Sequence, residues 1–200
     1  MAQAESYARL FHAAPGTPAV DVYANGNLVT QGFAYGEITE YVTVNPGAYN
    51  IQIFPAGRTA NPLICSSLAI VSGTSQTIAG VGEPGKLSLF PIKEVYMPVI
   101  DRRSAYVRFA NLSPDSSSVD IALSDGTVIL SDISFMDYSK YITITPGTYT
   151  LLMKPMGSNE VLLTITGLNL MAGTINTIFA IGFMDGDPPL EAVTYPDGMY

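Results

Sequence analysis

The chain has 200 residues, of which 48% are hydrophobic and only 13% charged, where an ordinary globular domain is about one quarter charged. So apolar a chain is not disordered, yet its 18 Gly and 14 Pro interrupt every apolar run well before the roughly 20 residues of a membrane helix. The net charge of −8 argues against a nucleic-acid ligand, and one Cys with one His leave no disulfide framework and scarcely any means of building a zinc site.

The chain opens Met1-Ala2-Gln3-Ala4-Glu5, which lacks the basic start and apolar stretch of a secretory leader. The expectation is a cytoplasmic or spore-associated protein, unless a leader has been removed. Strands are then expected over 7–13, 19–24, 28–30, 38–44, 49–54, 63–71, 76–81 and 87–92, because short runs rich in Val, Ile, Thr and Tyr lie between Gly, Pro, Asn and Asp. Asn25-Gly26 predicts a tight hairpin, since both residues tolerate positive φ. Pro46-Gly47 predicts a type II turn. Cys65, flanked by Ile64 and Ser66, reads as a small core residue. No segment sustains helical periodicity, so almost no helix is expected.

The elements then begin again. Tyr7-Ala8-Arg9-Leu10-Phe11-His12 is matched by Tyr106-Val107-Arg108-Phe109-Ala110-Asn111, an offset of 99. Val20-Asp21-Val22 matches Val119-Asp120-Ile121 at that offset. Asn25-Gly26 matches Asp125-Gly126, and the run from Tyr41 to Tyr49 matches Tyr141 to Tyr149, at 100. This is a tandem duplication of a domain-sized unit. The reading is all-β: two immunoglobulin-like β-sandwiches of about seven or eight strands each. The first covers 1–94, a short apolar linker 95–104, and the second 105–200. The proline in the linker suggests a stiff segment packed between the domains.

Arg9-Leu10-Phe11-His12-Ala13-Ala14-Pro15, then Val20-Asp21-Val22-Tyr23, Asn25-Gly26 and Pro46-Gly47-Ala48-Tyr49, resemble the bacterial family known as domain of unknown function 4397. The resemblance covers both units. It implies β-sandwich surface modules, often in tandem and often exported, and it brings no catalytic residue or cofactor with it.

Few side chains suggest chemistry. His12 stands alone and is replaced by Asn111 in the second unit, so a hydrogen-bonded histidine at a strand end is expected, not a catalyst. Arg9 and Asp21, repeated as Arg108 and Asp120, are expected to form structural ion pairs if the first two strands of each unit lie side by side. Asp185-Gly186-Asp187 is a weak candidate for calcium, but the oxygen series is too short for an EF-hand loop, and a hairpin loop is expected instead. Tyr49 and Tyr149 share parity with core positions, and there is no Trp, which disfavours a sugar-stacking platform. Catalytic residues, cofactors and nucleic acid are not expected.

Charge scarcity is the remaining clue. Residues 1–100 carry 4 basic and 6 acidic groups, and residues 101–200 carry 5 and 11. Open sheet edges are usually guarded by charge, and Phe54 and Leu152 have outward parity. The strand over 87–92 and the segment before Tyr7 are the candidate edges of the first unit. The expectation is a non-enzymatic structural or adhesion module that binds protein partners or itself at a bacterial cell or spore surface, the first unit being the stickier. The alternative is a module for a glycan or a calcium-dependent partner.

Overall fold

The structure is a computed structural model that describes residues 5–94 and 101–198. All of its regular elements are strands. Among the described residues no helix is long and apolar enough to cross a membrane. The chain divides into two compact units, one on each side of 95–100.

The first unit runs β1 (Ser6–His12), β2 (Val20–Ala24), β3 (Asn27–Phe33), β4 (Val42–Val44), β5 (Gly47–Pro55), β6 (Ile64–Ile70), β7 (Ser75–Val81) and β8 (Ser88–Glu94). These form two sheets, β4-β1-β7-β8 and β3-β2-β5-β6. The second unit runs β9 (Ala105–Asn111), β10 (Val119–Leu123), β11 (Val128–Ile133), β12 (Asp137–Tyr138), β13 (Ile142–Ile144), β14 (Gly147–Pro155), β15 (Leu163–Leu170), β16 (Ile175–Ile181) and β17 (Glu191–Pro196). Its sheets are β12-β9-β16-β17, with β13 also on β9, and β11-β10-β14-β15.

Each unit is thus a β-sandwich with its own core. Alternation along the strands sends one parity inward. In β5 the inward residues are Ile51 and Ile53, in β6 Ile64, Leu68 and Ile70, and all five are buried in the first core. Their counterparts Leu151, Met153, Leu168 and Leu170 are buried in the second. The seam that closes each sandwich is non-local. β1 runs parallel to β7, with Tyr7 opposite Ser75, and β9 runs parallel to β16, with Tyr106 opposite Ile175.

Several expectations change here. The strand that starts each unit is interior, flanked by β4 and β7 in the first, so Ser6, the described part of the expected edge within β1, is not at an edge; β8 is. The part of the expected edge at 1–4 and the part of the expected linker at 95–100 lie outside the described residues. Asp101–Ser104 is no free linker: Ser104 N–H donates to the Asp101 carbonyl, and Gly173 N–H donates to that of Ser104.

The Asn25-Gly26 hairpin forms as expected, with φ of 50° and 80°. The second unit inserts one residue at this point, which is where the repeat offset grows from 99 to 100, and Leu123 N–H closes a longer loop on the Thr127 carbonyl. Pro46-Gly47 does not make the expected type II turn. Gly47 has a φ of 148°, far from about 80°, because the chain here leaves one sheet at β4 and enters the other at β5. That corner is pinned by a tyrosine hydroxyl. Tyr49 donates to the Asn45 carbonyl at 2.8 Å and Tyr149 to that of Thr145 at 2.6 Å, as in the tyrosine corner of other sandwiches.

Candidate binding surface

The expected pairs Arg9–Asp21 and Arg108–Asp120 do not form. β1 and β2 belong to different sheets, so their charged residues never meet. Arg9 lies on the outer face of its sheet, since Ala8 and Leu10 face the core. It is nevertheless buried. Its Nε donates to Thr77 Oγ1 at 2.8 Å, its Nη2 lies 3.9 Å from Glu94 Oε1, and its guanidinium sits 4.4 Å over the Tyr41 ring. Thr77 and Tyr41 also donate their hydroxyls to Glu94. The second unit repeats the arrangement: Arg108 Nε to Thr177 Oγ1 at 2.7 Å, Nη2 to Asp197 Oδ2 at 3.6 Å, and the guanidinium 4.5 Å over Tyr141. Tyr141 and Thr177 donate to Asp197. Sequence reasoning missed Glu94 and Asp197, although Thr77 and Thr177, Tyr41 and Tyr141, and an acid at the end of each unit all recur.

Asp21 and Asp120 have another task. Asp21 accepts the N–H of Gly32 and the N–H of Gly57, each at 2.8 Å. Asp120 accepts from Asp132 at 3.0 Å and from Gly157 at 2.9 Å. Each carboxylate ties the far end of its hairpin to the turn after the strand paired on its other side, β5 or β14. Each of these buried carboxylates serves two backbone donors at once through charge-assisted bonds.

His12 ends β1 and is buried, with Nε2 3.2 Å from the Pro18 carbonyl and its ring near Phe33 and Tyr35. Burial pulls its pKa below the ordinary value, an effect opposed by the Pro18 carbonyl and by Glu37. Asn111 fills the equivalent place with bonds to Ser116 Oγ and the Ile133 carbonyl. Cys65 is not a core residue: Ile64, Leu68 and Ile70 take the inward parity of β6, which leaves the thiol exposed. Phe54 is not outward-exposed either, for its ring is buried against the edge of Tyr23 at 5.6 Å. Asp185 and Asp187 are exposed in the loop joining β16 to β17. Among the described residues no group of three His, Cys, Asp or Glu side chains could hold a metal ion.

The surface with most to offer lies where β3 and β4 form the edges of the two sheets of the first unit. Leu28 and Val29 on β3 are each 50% exposed and Val42 on β4 is 53% exposed. Between those edges a cavity of about 150 Å³ opens among Ala8, Leu10, Val22, Ala24 and Val44. A smaller cavity of about 30 Å³ lies toward Phe33, Leu63, Leu87 and Leu89. In the second unit, Val128 is the one large exposed hydrophobic within a strand among the described residues; Met156, Val161 and Met171 lie in loops.

The architecture is that of a tandem β-sandwich protein, two copies of one unit with matching sheets and matching buried ion clusters. The chain belongs to the family described as Domain of unknown function (DUF4397), whose model matches residues 6–122 and 105–199. It is similar to the solved C-terminal domain of AlgF from P. aeruginosa, at 21% identity over 47% of this chain and 98% of that one, with a TM-score of 0.37. It is also similar to a carbohydrate-binding module of family CBM26 from Eubacterium rectale Amy13K, solved with maltoheptaose, at 10% identity over 97% of each chain, with a TM-score of 0.32. No curated protein matches it.

Proposed function

We propose that the chain is a non-enzymatic structural or adhesion module that associates with protein partners or with copies of itself, and that the first unit carries the association. The supporting observation is the placement of Leu28, Val29 and Val42 on two open edge strands, each about half exposed. Edge strands offer unpaired N–H and C=O groups to another strand, and apolar side chains beside them add buried area. The location at a cell or spore surface is part of the same reading. It is tested by tagging the protein in its native cell through growth and sporulation.

The association itself is tested by measuring the mass of the full chain at several concentrations. The mass should rise with concentration and should not fall on adding salt, because apolar burial is not screened. Val29→Lys with Val42→Lys should lower it, while Val128→Lys in the second unit should change it little. A chain that remains monomeric at high concentration and recovers no protein from native extracts retires this reading.

A further inference from the structure

Where the first unit has its cavity between β3 and β4, the second unit carries larger side chains at six of the matching positions. Position by position, Ala8 of the first unit is replaced by Val107, Leu10 by Phe109, Val22 by Ile121, Ala24 by Leu123, Val42 by Ile142 and Val44 by Ile144. The registers confirm the equivalence: Ala8 pairs with Val42 as Val107 pairs with Ile142, and Ala24 pairs with Ile51 as Leu123 pairs with Leu151. Every one of these changes enlarges the side chain. The result shows in burial: Ala8 and Val22 are 6% and 3% exposed, whereas Val107 and Ile121 are 1% and 0% exposed.

We propose that this cavity of the first unit is a binding site for a small uncharged apolar group, a single aromatic ring or a short branched alkyl chain. The size fits, since an apolar cavity of about 150 Å³ is large enough to admit benzene. The lining fits as well. The polar groups at the cavity are already committed: Thr39 Oγ1 accepts the Leu10 N–H and donates to the Glu40 carbonyl, and the Tyr49 hydroxyl donates to Asn45. Arg9 is engaged with Thr77 and Glu94 on the other face of the sheet. A polar ligand inside the cavity would find every polar side chain of the lining already engaged, and burying its polar groups there would go uncompensated. The half-exposed Val29 and Val42 place the way in between the two edges. This inference is independent of the association proposed above, because it requires no second chain.

The test uses the full chain, dilute enough to be monomeric, titrated with benzene and watched through its methyl NMR signals. The expected result is saturable shifts at Ala8, Val22 and Val44, with none at Ile121 or Ile144. Leu10→Phe and Ala24→Leu each install the residue that the second unit already accommodates, so both should fold. Each should weaken binding at least tenfold, and unchanged signals from the second unit will show that the rest of the chain is intact. If one of the two fails to fold, the other decides. The absence of saturable shifts up to the solubility of benzene would overturn the proposal, and so would undiminished binding in the filled variants.

Discussion

At the scale of single residues, the buried charges carry the clearest expectations. Glu94 receives hydrogen bonds from two hydroxyls and faces Arg9 in a site closed to solvent. Removing it leaves a cation buried without its partner, so Glu94→Ala should cost about 3–5 kcal/mol by denaturant unfolding. Asp21→Asn should cost about 2–4 kcal/mol, because an amide nitrogen then faces a backbone N–H where a carboxylate oxygen accepted one. An equally large loss in Asp21→Asn and in a neighbouring exposed-residue control would contradict this account. His12 supplies the pH dependence. Its pKa in the fold lies below the ordinary histidine value of about 6.5, chiefly through burial. The unfolded chain therefore binds the proton first as pH falls. Its stabilising share is complete above about pH 6.5 and is lost progressively below it, down to the depressed folded value. His12→Asn should flatten that slope while costing less than about 3 kcal/mol at pH 8. Unfolding curves of the two proteins at pH 8, 6.5 and 5.5 make the comparison.

At the scale of elements, two glycines separate backbone freedom from space. Gly26 has a φ of 80° and open surroundings, whereas a Cβ on Gly82 would stand 2.3 Å from the Lys86 carbonyl oxygen. Gly26→Ala should cost about 1–2 kcal/mol, the usual left-handed penalty. Gly82→Ala should cost clearly more, because the β7–β8 connection must open, and Gly182→Ala should match it, with Pro189 O at 2.1 Å. Equal losses at Gly26 and Gly82 would show that close approach contributes nothing. The strands were legible in the residues themselves, since period-two alternation and turn residues act locally. Their partners were not. Successive strands pair roughly two-thirds of the time, and that habit put Arg9 beside Asp21. Here β1 pairs instead with β7, far along the chain, so the acid that meets Arg9 is Glu94. The burial of Phe54 was hidden for a related reason. A side chain of outward parity is covered when its neighbour across the strand, here Tyr23 beside Gln52, folds an aromatic ring over it.

At the scale of the whole molecule, the duplication has produced two differently finished cores. Among the residues packed between the two sheets, those of the first unit are 3–8% exposed where those of the second are mostly 0–2% exposed. Each core closes within its own unit. Calorimetry of the intact chain should therefore resolve two transitions, the lower belonging to the first unit. The assignment can be checked with Ile178→Ala, which should lower the upper transition and leave the lower one in place. A single transition displaced as a whole by that variant would mean that the units unfold together.

The path of β1 through its sheet also decides how a unit would respond to tension. Tyr7 and Glu94 both lie beside Ser75, at one end of the sheet. The chain therefore enters and leaves the unit at the same end, and the second unit repeats this, with Tyr106 beside Ile175 and Pro196 beside Asn176. Pulling the ends apart would not slide β1 lengthwise along β7 against all its bonds at once. It would peel β8 away from β7 one residue pair at a time. The first group to feel the load would be the Arg9–Thr77–Glu94 cluster, which spans all three strands at that end. A tandem protein built this way would yield unit by unit under load, with the buried charge cluster setting the rate at which each unit opens.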